Sequence, residues 1–158
     1  MGDGGRRSRS CRADRNARMN KQPLHDRLVD LHAELARFAA KHRELCSAPT
    51  PDATAIGSAR WRIAQAGRCR MALLSETIFP LLEVRCDTAE RRPVEALHAA
   101  TTDYRTRVSL YVSKWSMAAI INDWLVYRSE AETFRLVVKA RIAEERSLLL
   151  PLLLRHAG

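Results

Sequence analysis

Apolar residues recur along this chain at alternating spacings of four and three, in four separate stretches, and no useful length alternates with period two. A period near 3.6 places such residues on one side of an α-helix, whereas a half-buried strand needs strict alternation. The chain is therefore read as all-α. Leu24, Leu28, Leu31, Leu35, Phe38 and Leu45, with His42 in the vacant place, predict a first helix from Leu24 to Cys46. Pro49 and Pro51 end it, because proline inside a helix removes a hydrogen bond and clashes with the preceding turn. Ile63, Gly67, Arg70, Leu74, Thr77 and Leu81 predict a second helix over 57–83, with Pro80 closing or kinking it. The charged segment 84–92 follows as a connection.

Pro93 is placed to open the third helix in its first turn, where its missing N–H does no harm. That helix has the seam Leu97, Thr101, Tyr104, Val108, Tyr111 and Trp115. Ser116 has the side chain to cap a fourth helix. Its seam is Ile120, Trp124, Tyr127, Ala131, Phe134, Val138, Arg141, Glu145, Leu148 and Leu152. This helix either runs on or breaks at Ser129, where Ser129-x-x-Glu132 has the form of a capping box. Four amphipathic helices with short links imply an up-and-down four-helix bundle over 20–155.

A chain of 158 residues has room for one domain with a core of its own. No apolar run reaches the ~20 residues needed to span a bilayer, and the N-terminus has charge but no apolar segment of a secretory signal. A cytoplasmic location with no membrane partner is expected. Cys11, Cys46, Cys69 and Cys86 lie far apart with no C-x-x-C pair, which suits reduced thiols. Low in apolar residues, the stretch 1–19 is expected to be a disordered tail, or to lie upstream of a true start at Met19. Nucleic acid is a candidate partner only through this tail.

Two segments repeat each other. Arg70-Met-Ala-Leu-Leu-Ser-Glu76-Thr-Ile-Phe-Pro80-Leu-Leu82 aligns with Arg141-Ile-Ala-Glu-Glu145-Arg-Ser-Leu-Leu-Leu-Pro151-Leu-Leu153, each with an arginine ten residues before a proline that two leucines follow. Hemerythrin-like domains end their second and fourth helices with a pattern of the type His-x-x-x-Glu-Glu-x-x-Leu-Phe-Pro. Glu76-Thr-Ile-Phe-Pro80 and Glu144-Glu145-Arg-Ser-Leu-Leu-Leu-Pro151 stand at those places. Trp115-Ser-x-x-x-Ile-Ile-Asn-Asp-Trp124-x-x-Tyr127 looks like a bacterial subgroup of the family, and His32-Ala-Glu-Leu35 resembles the His-x-x-Leu of its first helix. The resemblance spans most of 24–153 and implies a hemerythrin-like bundle.

In that family, histidines and carboxylates from four helices hold a di-iron centre. Carried over, the helix-two histidine becomes Arg70 and the carboxylate four residues on becomes Leu74. The helix-four histidine becomes Arg141, while Glu145 keeps its carboxylate and His32 remains on helix one. The helix-three ligands have no clear counterpart; His98 lies near that helix's start. A guanidinium is a permanent cation without an available lone pair, so it repels iron. The resemblance therefore implies a degenerate metal site and no cofactor, with iron on a residual site at His32 and Glu145 as the alternative.

Arg70, Arg141 and Glu145 fall on apolar seams, where an unpaired charge costs several kcal/mol. The expectation is a buried network drawn from Arg70, Glu76, Arg141, Glu144 and Glu145. On that basis Arg141→Leu alone should destabilise more than removing Arg141 and Glu145 together. The alternatives are arginines that snorkel to a wet edge, or a small anion held by the surplus charge. His25 and His32 share a face beside the seam and read as surface or packing residues. Trp61, Trp115 and Trp124 read as core or boundary aromatics, with a partner surface as the other reading. Cys69 stands between Arg68 and Arg70, which favours a thiolate, but no base accompanies it. With no phosphate loop, nucleophile elbow or zinc spacing, the expectation is a non-enzymatic bundle that binds an unknown protein partner or itself. Residual iron or oxygen sensing and a basic nucleic-acid- or anion-binding bundle are the alternatives.

Overall fold

The computed structural model describes residues 23–157; the Arg-rich stretch, its boundary at residue 19 and Cys11 lie outside them. Among the described residues every regular element is helical. α1 is Leu24–Cys46, with Asp26 in its first turn and Arg43 in its last, each sign matched to its end of the helix dipole. α2 is Ala53–Leu73 and begins earlier than the apolar stripe indicates. The reason is Asp52, whose carboxylate accepts the Ala55 N–H at 2.9 Å and so makes a helix start of the residues after Pro51.

The second stripe is one long rod interrupted by a wider turn. A π-helical turn, Leu74–Ile78, follows α2, and α3, Phe79–Arg85, continues from it. Here the Phe79 N–H reaches back five residues to the Leu74 carbonyl. The extra residue rotates everything beyond it, so Ile78 and Leu82 face the core where Thr77 and Leu81 were expected. Pro80, which lacks an N–H and crowds the carbonyl four residues back, sits just where such widening relieves it.

The connection after α3 is shorter than 84–92. α4, Thr88–Lys114, starts at once because Asp87 caps it, accepting the Glu90 N–H at 2.9 Å. Pro93 thus lies inside the helix rather than opening it. Ser116 caps as expected, taking the Ala119 N–H, but the helix it starts is only α5, Met117–Asn122. The break falls at Asp123, and α6, Trp124–His156, runs unbroken through Ser129.

α6 packs against α1, α3, α4 and α5, and α1 packs most extensively against α2. Two apolar clusters result. One is aliphatic, with Leu28, Leu31, Leu73, Leu74, Ile78, Phe79, Leu82, Val94, Leu97, Leu149, Leu152 and Leu153. The other is aromatic, with Ile56, Trp115, Ile120, Trp124, Tyr127 and Ala131. The Trp124 indole N–H is satisfied by the Ala48 carbonyl at 3.1 Å and that of Trp115 by Glu130 at 2.9 Å. Trp61, by contrast, is 58% exposed and belongs to neither cluster. No helix of the described residues is long and apolar enough to cross a membrane.

Candidate functional site

Along α1, α2, α4 and α6, a polar residue falls between those that build the aliphatic cluster and those that build the aromatic one. His32, Arg70, Thr101, Arg141 and Glu145 are the buried polar side chains there. Each helix supplies its member because a seam position carries a polar residue in place of an apolar one; only His32 comes from beside the seam.

Glu145 is the centre. Fully buried, its Oε1 accepts from Arg141 Nε at 3.1 Å, one helical turn earlier on α6. Its Oε2 accepts from His32 Nε2 at 2.9 Å, and Arg70 Nη1 stands 3.7 Å from the same oxygen. The carboxylate can only accept, so His32 Nε2 carries the proton of that bond. Arg141 Nη2 donates to the Leu97 carbonyl at 3.0 Å and to Thr101 Oγ1 at 2.8 Å. Thr101 in turn donates to the Leu97 carbonyl at 3.1 Å. Arg70 Nη2 donates to the Tyr104 hydroxyl at 2.9 Å. The Arg70 and Arg141 guanidinium carbons lie 5.4 and 5.7 Å from the Tyr104 ring centroid, so the ring's negative face helps hold both cations.

The two arginines differ in how well they are served. Every donor of Arg141 that lies toward the interior has a partner, but Arg70 Nε and Nη1 and His32 Nδ1 have none within hydrogen-bond reach. Two guanidiniums also face a single carboxylate, leaving one positive charge in excess.

The expected network therefore forms, with different members. Arg70, Arg141 and Glu145 meet, while Glu76 and Glu144 are exposed and take no part. Glu144 precedes Glu145 by 100° of helix rotation and so points away when its neighbour points in. The arginines do not snorkel, being 1% and 5% exposed. Leu74 sits in the aliphatic cluster. His32 is 1% exposed, not a surface residue, whereas His25 is only half-buried and pairs with Asp26. Thr101 and Tyr104 are network members that were read only as seam residues; the signal was a hydroxyl on the seam at the level of Arg141. His98 is elsewhere, stacked on Phe79 at 4.5 Å and bonded to Glu83 at 2.6 Å. Cys69 is exposed.

A di-iron centre does not fit these residues. This layer offers one imidazole and one carboxylate, already bonded to each other, and two guanidiniums occupy the space and the charge that a metal would need.

A second buried polar group lies beside the aromatic cluster. His42 Nε2 is 2.7 Å from the Tyr127 hydroxyl, and Tyr111 packs against the same aromatic cluster. Burial, and secondarily the nearby Arg60 guanidinium, push His42 down to about 4. His42 is neutral at pH 7 as a result, and its Nε2 accepts from Tyr127. Burial also raises Tyr111 and pushes Tyr127 up to about 12. Burial holds the neighbouring Cys46 thiol above its usual range, so it is a poor nucleophile.

The fold and site define an all-helical protein with an ionic layer in its interior. Compared with known proteins, the chain matches no family model, no curated protein and no solved structure.

Proposed function

We propose that this chain is a hemerythrin-like four-helix bundle whose metal layer has given way to a charge network, and that it acts by binding rather than by catalysis. The observation that supports the reading is Glu145. It is the one retained carboxylate of the motif, and His32, Arg70 and Arg141 all converge on it. A layer of this kind specifies which helix faces meet, while the chemistry of oxygen or iron handling has no open ligand left to use. Work then falls to the outer surface, where Trp61, Ile121, Leu125 and Val126 are large apolar residues half or more exposed. The partner is a protein or a second copy of this chain.

Ferrous loading under nitrogen followed by air tests the reading. The expected result is substoichiometric iron, no oxo-bridge absorption and an unchanged melting temperature. Two irons per chain with an oxo-bridge band that Glu145→Ala abolishes would overturn it.

The idle donors of Arg70 favour a second reading, a small anion held at the layer. It predicts a higher melting temperature in phosphate than in chloride at equal ionic strength, and no such difference in Arg70→Met.

A further inference from the structure

At the opposite end of the aliphatic cluster, three elements bring three metal-ligating side chains together. Cys86 closes α3, Glu90 lies in the first turn of α4, and His156 is the last residue of α6. Their ligand atoms all lie within 4.8 Å of one another, and among the described residues no other set of three does so. Cys86 is buried and the other two are half-buried, so the set is open to solution on one side.

We infer that Cys86, Glu90 and His156 form a zinc site, with Cys86 Sγ, Glu90 Oε2 and His156 Nε2 as ligands. A thiolate, an imidazole and a carboxylate are the donor types zinc takes, and three protein ligands leave a fourth tetrahedral position for water. The distances need little change. His156 Nε2 and Glu90 Oε2 are 2.8 Å apart and would open by about half an ångström to sit at neighbouring corners of a tetrahedron with metal–ligand lengths of about 2 Å. The surroundings already hold the ligands from behind. Arg155 Nη2 binds the other carboxylate oxygen, Oε1, at 2.9 Å, and Arg91 Nη2 binds the Cys86 carbonyl at 2.9 Å. Arg85 donates to the carbonyl of His156. Contacts of this kind orient ligands without competing for the metal-facing atoms.

The charge balances. Zinc binding releases the thiol proton to solvent, and the thiolate and carboxylate together neutralise the dication. The site would tie the final turn of α6 to the corner between α3 and α4, which apolar packing and the ion pairs of Glu90 already bring together. It is independent of the interior layer, which contains no sulfur.

Cobalt as a coloured substitute for zinc gives the test, on the full chain. One Co2+ per chain should bind with a thiolate-to-cobalt band in the near ultraviolet and tetrahedral visible absorption, and equimolar Zn2+ should displace it. Cys86→Ser and His156→Gln should each weaken binding on the order of 100-fold or more, beyond what loss of an outer contact does. His156→Gln is the safer variant for folding, since it lies in the last helical turn. Cys11→Ser and Cys46→Ser should leave the band intact. Absence of a thiolate band, or a band that survives His156→Gln, would overturn the site.

Discussion

Two of the polar groups buried among the described residues meet the same difficulty in opposite ways. The layer around Glu145 keeps its charges and sets them against one another, whereas the hydrogen-bonded string of His42 and Tyr127 keeps none. The difference follows from the residues. An arginine cannot release its proton within any relevant pH range, so burying one obliges the fold to supply a counter-charge. A histidine can, and His42 held at about 4 has done so. The ionic layer should therefore be intolerant of deletion and the neutral string intolerant of acid.

Glu145→Leu gives the largest effect. It strands two guanidiniums at 1% and 5% exposure and removes the acceptor of His32. Breaking a buried pair from one side costs roughly 3–5 kcal/mol, and here two cations lose one partner, so denaturant melts should show a loss at the top of that range or no folded protein. The second guanidinium also reverses the order expected from sequence. Arg141→Leu alone leaves Arg70, 3.7 Å away, to pair with Glu145. Removing Arg141 and Glu145 together leaves Arg70 with no counter-charge, only the Tyr104 hydroxyl and ring. The double variant should thus melt below the single one; the opposite order would show that Arg70 is not part of the layer.

Acid gives the next largest effect. His42 has a folded value near 4 against 6.5 unfolded, so the unfolded chain takes up the proton first as pH falls. Its contribution is complete above pH 6.5, declines from there to pH 4 and is constant below. The loss has a ceiling of about 1.4 kcal/mol per pH unit, and about 2–3 kcal/mol over the window. Urea midpoints at pH 7, 5.5 and 4.5 in the parent and in His42→Gln isolate it, because glutamine still accepts from Tyr127 but does not titrate. An identical acid slope in both proteins would remove His42 from the comparison.

Arg141→Leu should follow at about 2 kcal/mol, the scale of lost hydrogen bonds from a charged donor, given that Thr101 still satisfies the Leu97 carbonyl.

How much of this was legible before the coordinates depends on whether a feature is written along one helix or between helices. Period and breakers placed the four stripes, and charged residues on apolar seams picked out Arg70, Arg141 and Glu145 as interior. The same reasoning could not choose partners. It offered Glu76 and Glu144 as neighbours in sequence, and named His32 with Glu145 only as a residual iron site, not as a member of the charge network. The π-turn has no signature in composition: only Pro80 marks it, and proline is equally compatible with a simple stop. Asp87 with Glu90 three residues later was a visible start signal, overlooked because Pro93 offered another one six residues on. Cys86, Glu90 and His156 come from three elements, and no spacing joins them.

The smallest effect is the most discriminating for the layer itself. Arg70 is the cation in excess. It has one hydrogen bond, to Tyr104, two donors with no partner, and only a 3.7 Å approach to Glu145. Arg70→Met fills similar space with an apolar chain, removes the surplus charge and leaves Glu145 paired with Arg141 and His32. The expected change in stability is within about 1 kcal/mol of the parent, in either direction, because the lost attraction is offset by the desolvation no longer needed. A loss as large as that of Arg141→Leu would mean that Arg70 has a partner of its own in solution. In that case the melting temperature of the parent, and not of Arg70→Met, should rise with added phosphate.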